Sequence, residues 1–395
     1  MRFVRVITAS KIQARQMLEA FMPRAGIEYS RRRNVDFGPN NRTNVSGLSP
    51  WIRVRVIPEW DLITEVLKHH TAAQASKWID EVCWRTYWKG WLRLRPTVWD
   101  DYLAELAKDR SAMADDTRFQ SVVAADSGID CMDAWTRELI DTGYLHNHAR
   151  MWYASIWIHT LQLPWSLGAD FFMRHLFDGD PAANTLSWRW VAGLHTLGKT
   201  YLATAANIQT YSNGRFSPQV PLATVPADVS QSVPAPPAVT IEPLESSSGS
   251  ARVGLLLQED DLSALDWLGE RAGVVACVGF IPQQIYTQHR IVPAVFDFRY
   301  ACMTDALASQ GAVYTQLPEV VQWAHDHDLD VLLIAEPPIG LWTPLLPELA
   351  AALRRANIEL VVQRHWWDEH FYPHARAGFF RFKKAIPAAI DHLTR

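Results

Sequence analysis

A change of hydrophobic period across residues 216–250 is the feature that most restricts how this chain can fold. Before it, apolar residues recur every three or four positions. In KWIDEVCWRTYWKGWL, Trp78, Val82, Arg85 and Lys89 share one helical side, Asp133–Ile140 reads as a second helix and Asn147–Leu161 as a third. Alternating β-branched runs are scarce there, so residues 1–215 are predicted to be all-α. After it come short unbroken apolar runs: Val253–Leu257, Val274–Val278, Ala312–Tyr314, Val331–Ala335 and Ile358–Val362. Helical stretches such as Pro318–Asp328 and Pro344–Ala356 separate them. Strands that are apolar throughout and alternate with helices predict a buried parallel sheet. The segment between, FSPQVPLATVPADVSQSVPAPPAVTIEPLESSSGS, carries neither period and is dominated by proline, serine and small residues. It is predicted to run extended over the surface, because it cannot bury enough apolar area to offset its ordering entropy. The expected fold class is therefore α plus α/β: a helical domain over 1–215, a Pro/Ser-rich linker over 216–250 and a parallel-sheet domain over 251–395.

Charge divides along the same seam. Residues 1–215 hold 26 Lys and Arg against 22 Asp and Glu, and the remainder holds 12 against 20. Within residues 1–95 the balance is 17 against 8, with Arg31, Arg32, Arg33, Arg42, Arg53, Arg55, Arg85, Lys89, Arg93 and Arg95 prominent. A basic face on an acidic protein suggests an anionic partner such as a DNA backbone; the other reading is that these arginines pair internally. No apolar run approaches the length of about 20 residues that a membrane span needs. The N-terminal MRFVRVITASK has charges where a signal peptide needs an apolar block, so a cytoplasmic location without membrane contact is expected. The four cysteines (Cys83, Cys131, Cys277, Cys302) lack any Cys-x-x-Cys pair, which argues against a disulfide framework, a four-cysteine cluster or another metal site. Most of the 18 tryptophans precede residue 200, a density that suits a helical core built around an aromatic ligand.

Within the helical domain a single string carries chemistry. Gly143-Tyr144-Leu145-His146-Asn147-His148-Ala149-Arg150-Met151 is followed by Trp165, then Asp178-Gly179-Asp180-Pro181-Ala182-Ala183-Asn184, then Trp188-Arg189-Trp190. An Arg on a helix, two acids facing one way on a turn, an amide and two indoles can pair a cation with a carboxylate beside a planar redox-active ring. The order G-[WY]-x-H-N-x-x-R-M, D-G-D-x-A-x-N, W-x-W closely resembles the FAD-binding domain of the DNA photolyase and cryptochrome family. Two further segments are similar to it. Val45-Ser46-Gly47-Leu48-Ser49-Pro50-Trp51 resembles the T-S-x-L-S-P-[YWF] turn, with Val45 in place of the usual threonine, and Trp78-Ile79-Asp80-Glu81-Val82-Cys83-Trp84-Arg85 resembles W-x-x-E-x-x-W-R.

The resemblance implies the following site. Ser46, Leu48 and Ser49 cradle the FAD diphosphate ahead of a helix, with Tyr29 near the phosphates. Trp78 and Arg85 help to bind FAD, while Glu81 and Trp84 face the damaged bases with Asn147, Met151 and Trp190. Arg150 and Asp178 form an ion pair beside the isoalloxazine, Asp180 accepts from the ring edge or ribose region, Asn147 also contacts the diphosphate and adenine side, and Asn184 faces N5. A neutral amide at N5 tolerates a reduced, anionic flavin, whereas a carboxylate would repel it; photolyases generally carry Asn there and plant sensory cryptochromes Asp. Trp188 and Trp165 match the first two members of the electron relay. A third is missing upstream of Asp126: either the relay ends early, or Trp135, Trp152, Trp157 or Tyr144 substitutes at the surface.

The chain also departs from the family. Where members read G-T-D-x-x-P-Y-x-R-I-F-N-P it has Gly193–Ile208, in which His195 and Lys199 are expected to face solvent. The α/β domain follows the FAD domain instead of preceding it, and no G-x-G-x-x-G or Walker motif marks a nucleotide site in it. It is either an antenna-like module, its second chromophore unknown, or a buttress. The scattered cysteines set the chain apart from the family branch that carries an iron–sulfur cluster. The function implied is an FAD-dependent, blue-light-driven lyase repairing cyclobutane pyrimidine dimers in UV-damaged DNA. His146-Asn147, where the (6-4) branch has His-His, favours that lesion. The alternative is a cryptochrome-like light sensor with a protein signalling partner and no repair activity.

Overall fold

The computed structural model describes residues 7–196, 199–229, 232–241, 244, 251–269 and 273–395. Among the described residues up to 215 every regular element is a helix. The central one, Ser76–Arg93, buries residues all round its circumference, Trp78, Val82, Tyr87, Trp88, Lys89 and Trp91 included, because other helices and the C-terminal segment enclose it. At Gly90 the turn Tyr372–His374 crosses so closely that a Cβ would lie 2.8 Å from the Tyr372 ring. The helix Asn147–Ser155 continues into a π-helical turn, Ile156–Thr160, as one periodic run, and Asp130–Thr142 precedes it.

After residue 250 five strands form one parallel sheet: β1 (Val253–Gln258), β2 (Ala276–Phe280), β3 (Val313–Tyr314), β4 (Val331–Ala335) and β5 (Glu359–Gln363), in the order β3-β2-β1-β4-β5. Strand β2 begins two residues, and β3 and β5 one residue, later than their apolar runs. Successive β1 residues point to opposite faces. Leu255 and Leu257 join a core continuous with the helical domain, while Leu256 joins a second core with Val278, Leu332, Ile334 and Leu349 under the outer helices. The shared core is tied by ring contacts, Trp51–Phe298 at 5.8 Å and Phe177–Phe298 at 5.2 Å.

The order reverses between β1 and β4, and in open α/β sheets the crevice outside the carboxyl ends of such strands is where ligands bind. Here β1 ends at Gln258 and runs directly into Glu259-Asp260-Asp261, all buried, with Arg53 and Arg55 of the helical domain paired to Asp260 and Asp261.

Residues 230–231, 242–243 and 245–250 of the Pro/Ser-rich segment lie outside the described residues. The rest has no helix or strand, as expected, but it is strapped down. Ala223 N–H donates to Thr160 Oγ1, Ala227 N–H to His159 Nδ1 and Val239 N–H to Leu94 O, while Arg189 and Arg95 donate to the Val233 and Pro236 carbonyls. No helix among the described residues is long and apolar enough to cross a membrane.

Candidate functional site

The site is built on the loop between helices Trp165–His175 and Pro181–Ala192. Asp180 caps the second helix, accepting from Ala183 N–H at 2.8 Å with Pro181 at the first helical position, which fixes the loop against that helix. Asp178 accepts from Arg150 Nη2 at 2.9 Å, and Arg150 Nε donates to Leu145 O at 2.8 Å. This is the pair expected from the motif.

The surroundings of Asp180 were not legible in the sequence. Its Oδ2 has Arg85 Nη1 at 3.7 Å, Lys89 Nζ at 3.8 Å and Arg53 Nε at 3.9 Å, all beyond hydrogen-bond range. Burial pushes the Asp180 carboxyl up, but Lys89, Arg53 and Arg85 outweigh it and hold the group below its ordinary value. Burial likewise raises Asp178, and Arg150 and then Arg85 bring it below normal. Both acids are therefore ionised at neutral pH, inside a ring of four cations.

Around this ring lie buried polar atoms without a hydrogen-bond partner: Asp178 Oδ1, Asp180 Oδ2, Arg85 Nη1, Arg53 Nη2, Ser49 Oγ and Trp78 Nε1. Each such group costs about 1–3 kcal/mol when left unpaired, so a concentration of them marks a place built for a polar ligand. Ser49 opens the short helix Ser49–Arg53; Leu48 before it is fully buried, and Leu48 N–H donates to Ser46 Oγ at 3.3 Å. Trp78 packs against Phe21 at 5.3 Å and against Tyr29 edge-on at 5.4 Å.

The family model described as the FAD binding domain of DNA photolyase matches residues 78–217, the span that holds Arg85, Arg150, Asp178, Asp180 and Asn184. Residues 78–217 are thus similar to the FAD-binding domain of DNA photolyases. The chain is 28% identical to a deoxyribodipyrimidine photo-lyase of Vibrio cholerae over 165 residues, 40% of this chain and 35% of that one. It is 32% identical to the Thermus thermophilus photo-lyase over 185 residues, 46% of this chain and 41% of that one. The match thus spans well under half the length of these curated relatives. Among solved structures, a bacterial class III photolyase from Agrobacterium tumefaciens is similar at 24% identity and TM-score 0.43, covering 52% of this chain and 43% of that one. A Synechocystis cryptochrome is similar at 21% identity and TM-score 0.45, covering 53% and 44%.

The remaining motif residues of the helical domain are dispersed. Asn184 spends one amide N–H on Ala169 O at 2.8 Å. Asn147 is exposed at the start of its helix, while Met151 and Trp190 are half-buried, Trp190 stacking on Tyr201 at 5.7 Å. Glu81 is held by Arg33, whose Nη1 donates at 2.6 Å from the basic loop; burial nevertheless raises its pKa, against the pull of Arg33. Trp84 lies flat on Phe379 at 3.9 Å and 9°, so the C-terminal segment covers one face of its ring.

The tryptophans of the helical domain divide into separate groups. Trp188 is 2% exposed and meets Trp157 at 6.0 Å, Phe172 and Tyr153. It fits only because residue 168 is glycine: a Cβ there would sit 2.3 Å from its ring. Trp165 instead packs on Tyr102 at 5.5 Å, under the Arg189 guanidinium, with its indole N–H donating to Glu105 at 2.8 Å. Of the four substitutes, Trp157 is the one in ring contact with Trp188; Trp135 and Trp152 stack on each other at 5.6 Å, and Tyr144 lies under Arg42 and Arg150.

One expectation needs correction, and one open alternative is decided. His195 does not face solvent: it sits among Tyr87, Trp88 and Trp91, and burial, then Arg189 and Arg95, push its pKa down to about 4, whereas Lys199 is exposed. Leu197 and Gly198, between them, lie outside the described residues. The basic run of residues 31–95 is also largely internal. Arg53, Arg55 and Lys89 are buried in ion networks, Arg33, Arg42 and Arg93 pair with Glu81, Glu138 and Glu336, and Arg31 and Arg32 are left exposed. Charge counts register cations but not their partners.

Proposed function

We propose that this chain binds FAD in its helical domain and uses blue light to split cyclobutane pyrimidine dimers in DNA. The observation that carries the first half is the cationic ring around Asp178 and Asp180, with its unpartnered atoms. Those atoms fit FAD: donors Ser49 Oγ, Trp78 Nε1 and Arg85 Nη1 and acceptors Asp178 Oδ1 and Asp180 Oδ2 suit a ligand rich in both. When bound, FAD supplies light absorption and the electron that the chemistry needs.

The protein's role is to hold, charge and dry the site. Arg53, Arg85, Lys89 and Arg150 favour a ligand carrying negative charge, and the Asn184 amide adds none to oppose it. Trp188 and Trp157 would conduct electrons inward from the buried aromatic cluster. Glu81, its proton affinity raised by burial, would hydrogen-bond the carbonyls of an extruded dimer, with Trp84 and Trp190 walling the bases and Asn147 and Met151 lining their approach.

One observation favours the sensor reading as a second: Phe379 already occupies one face of Trp84. The test is light-dependent loss of thymine dimers from an oligonucleotide incubated with fully reduced protein. Repair is expected; its absence with flavin bound would favour a light sensor acting on a protein partner.

A further inference from the structure

Gly179, between the two site acids, has a carbonyl oxygen that accepts from two guanidinia. Arg53 Nε donates at 2.9 Å from the helical domain, and Arg299 Nη2 at 2.8 Å from helix Pro293–Leu307 of the α/β domain. Both arginines are 0% exposed. Each is anchored on the acidic run that follows β1: Arg53 Nη1 donates to Asp260, and Arg299 Nη1 lies 3.4 Å from Glu259 Oε2 and 3.1 Å from Tyr286 Oη. Beside them Asp261 accepts from Arg55 Nη1 at 2.9 Å, and Arg55 holds Asp368 through both terminal nitrogens and Glu59 through Nε.

We propose that the α/β domain completes the flavin site, with Arg299 and Asp260 as positioning residues that fix the Gly179 peptide and so aim Asp178 and Asp180. This rests on the FAD reading above. A buried ion network is a poor source of stability, since apolar residues of the same volume usually do as well. What it provides is orientation. Two donors converging on one carbonyl fix the peptide plane between the acids, and the donors are themselves fixed by acids at the sheet's switch point. The crevice where an open sheet would take a ligand instead grips the loop that takes one.

The network also sets charge. Asp260 balances Arg53, and a guanidinium cannot lose its proton, so Asp260→Asn leaves a positive charge in excess beside Asp180. Removing Arg299 is different, because buried Glu259 can take up a proton and cancel the change.

The experiment uses the full chain, stripped of flavin and titrated with FAD, with dye-coupled reduction potentials measured on the reloaded protein. Apoprotein melting serves as the fold control. Asp260→Asn and Arg299→Met should each bind FAD about tenfold or more weakly, as loss of hydrogen bonds to charged groups implies. Asp260→Asn alone should raise the flavin potential, since reduction adds negative charge near the unbalanced Arg53. Arg299→Lys, which keeps the charge and is the fallback should Arg299→Met not fold, should restore affinity in part. Wild-type affinity and potential in both Asp260→Asn and Arg299→Lys, or a potential moved equally in all variants, would overturn the inference. A wild type that takes up no FAD would instead overturn the underlying reading.

Discussion

Two sides of the helical domain are built by opposite means. On one, around Asp178 and Asp180, charged side chains cluster with little exposure, and their partners lie far apart in the sequence. On the other, around Trp188, Trp157 and Phe172, the contacts are neutral rings packed edge to face. The first arrangement discriminates by charge and hydrogen bonding; the second offers closely spaced indoles with no charge to trap an electron. Under the proposed function ligand binding belongs to the acid corner and electron supply to the aromatic side, and each half can be broken separately.

The largest effect should come from the corner. Asp178→Ala removes the charge-assisted hydrogen bond of the partly exposed Arg150, a loss of about 1.5–3 kcal/mol, and the purified variant should hold little flavin. Full flavin occupancy in Asp178→Ala would remove the corner from the binding site.

The aromatic side is tested by Trp188→Phe, which should keep flavin bound while light-driven reduction of oxidised flavin by external donors is greatly slowed. Trp157→Phe should slow it more than Trp165→Phe, because Trp157 is in ring contact with Trp188 while Trp165 packs on Tyr102. The reverse order would restore the relay that the motif alone implies. Unchanged photoreduction in Trp188→Phe would mean that electrons enter elsewhere.

A smaller effect is expected at Trp84, which the proposed repair reading sets against the extruded bases. Trp84→Ala should weaken binding of dimer-containing DNA by about 1–3 kcal/mol, the scale of a base–aromatic stacking contact, with flavin retained. Unchanged binding would mean that Phe379 keeps Trp84 out of the substrate's reach.

The smallest concerns pH. His195 has a folded-state pKa depressed to about 4 by burial, so its contribution to stability is complete above the unfolded value of about 6.5 and is lost as pH falls toward 4. His195→Phe should flatten the melting-temperature profile over that window and leave it unchanged above pH 7. A wild-type profile in the variant would place the acid sensitivity on other buried histidines, of which His146 is one.

How much of this was legible in the sequence follows from the range of the interactions. Helices and parallel strands were legible because hydrophobic period is local, and the Arg150–Asp178 pair because the motif carries it. The other partners of Asp180 were not: Arg53 and Lys89 lie on distant segments and look like members of a solvated basic stripe until the fold buries them. The strapped linker has the same explanation, since its partners (Thr160, His159, Leu94) leave no trace in its own composition. Nor does any local pattern announce that Phe379 lies on Trp84 or that Arg299 reaches Gly179.

The account stands on FAD occupying the acid corner, and the most direct measurement is the flavin content of the purified wild-type chain after incubation with FAD. The absorption spectrum of the gel-filtered protein, with the cofactor released and identified, should show close to one FAD per chain. A folded protein that emerges without flavin would contradict the account at its centre.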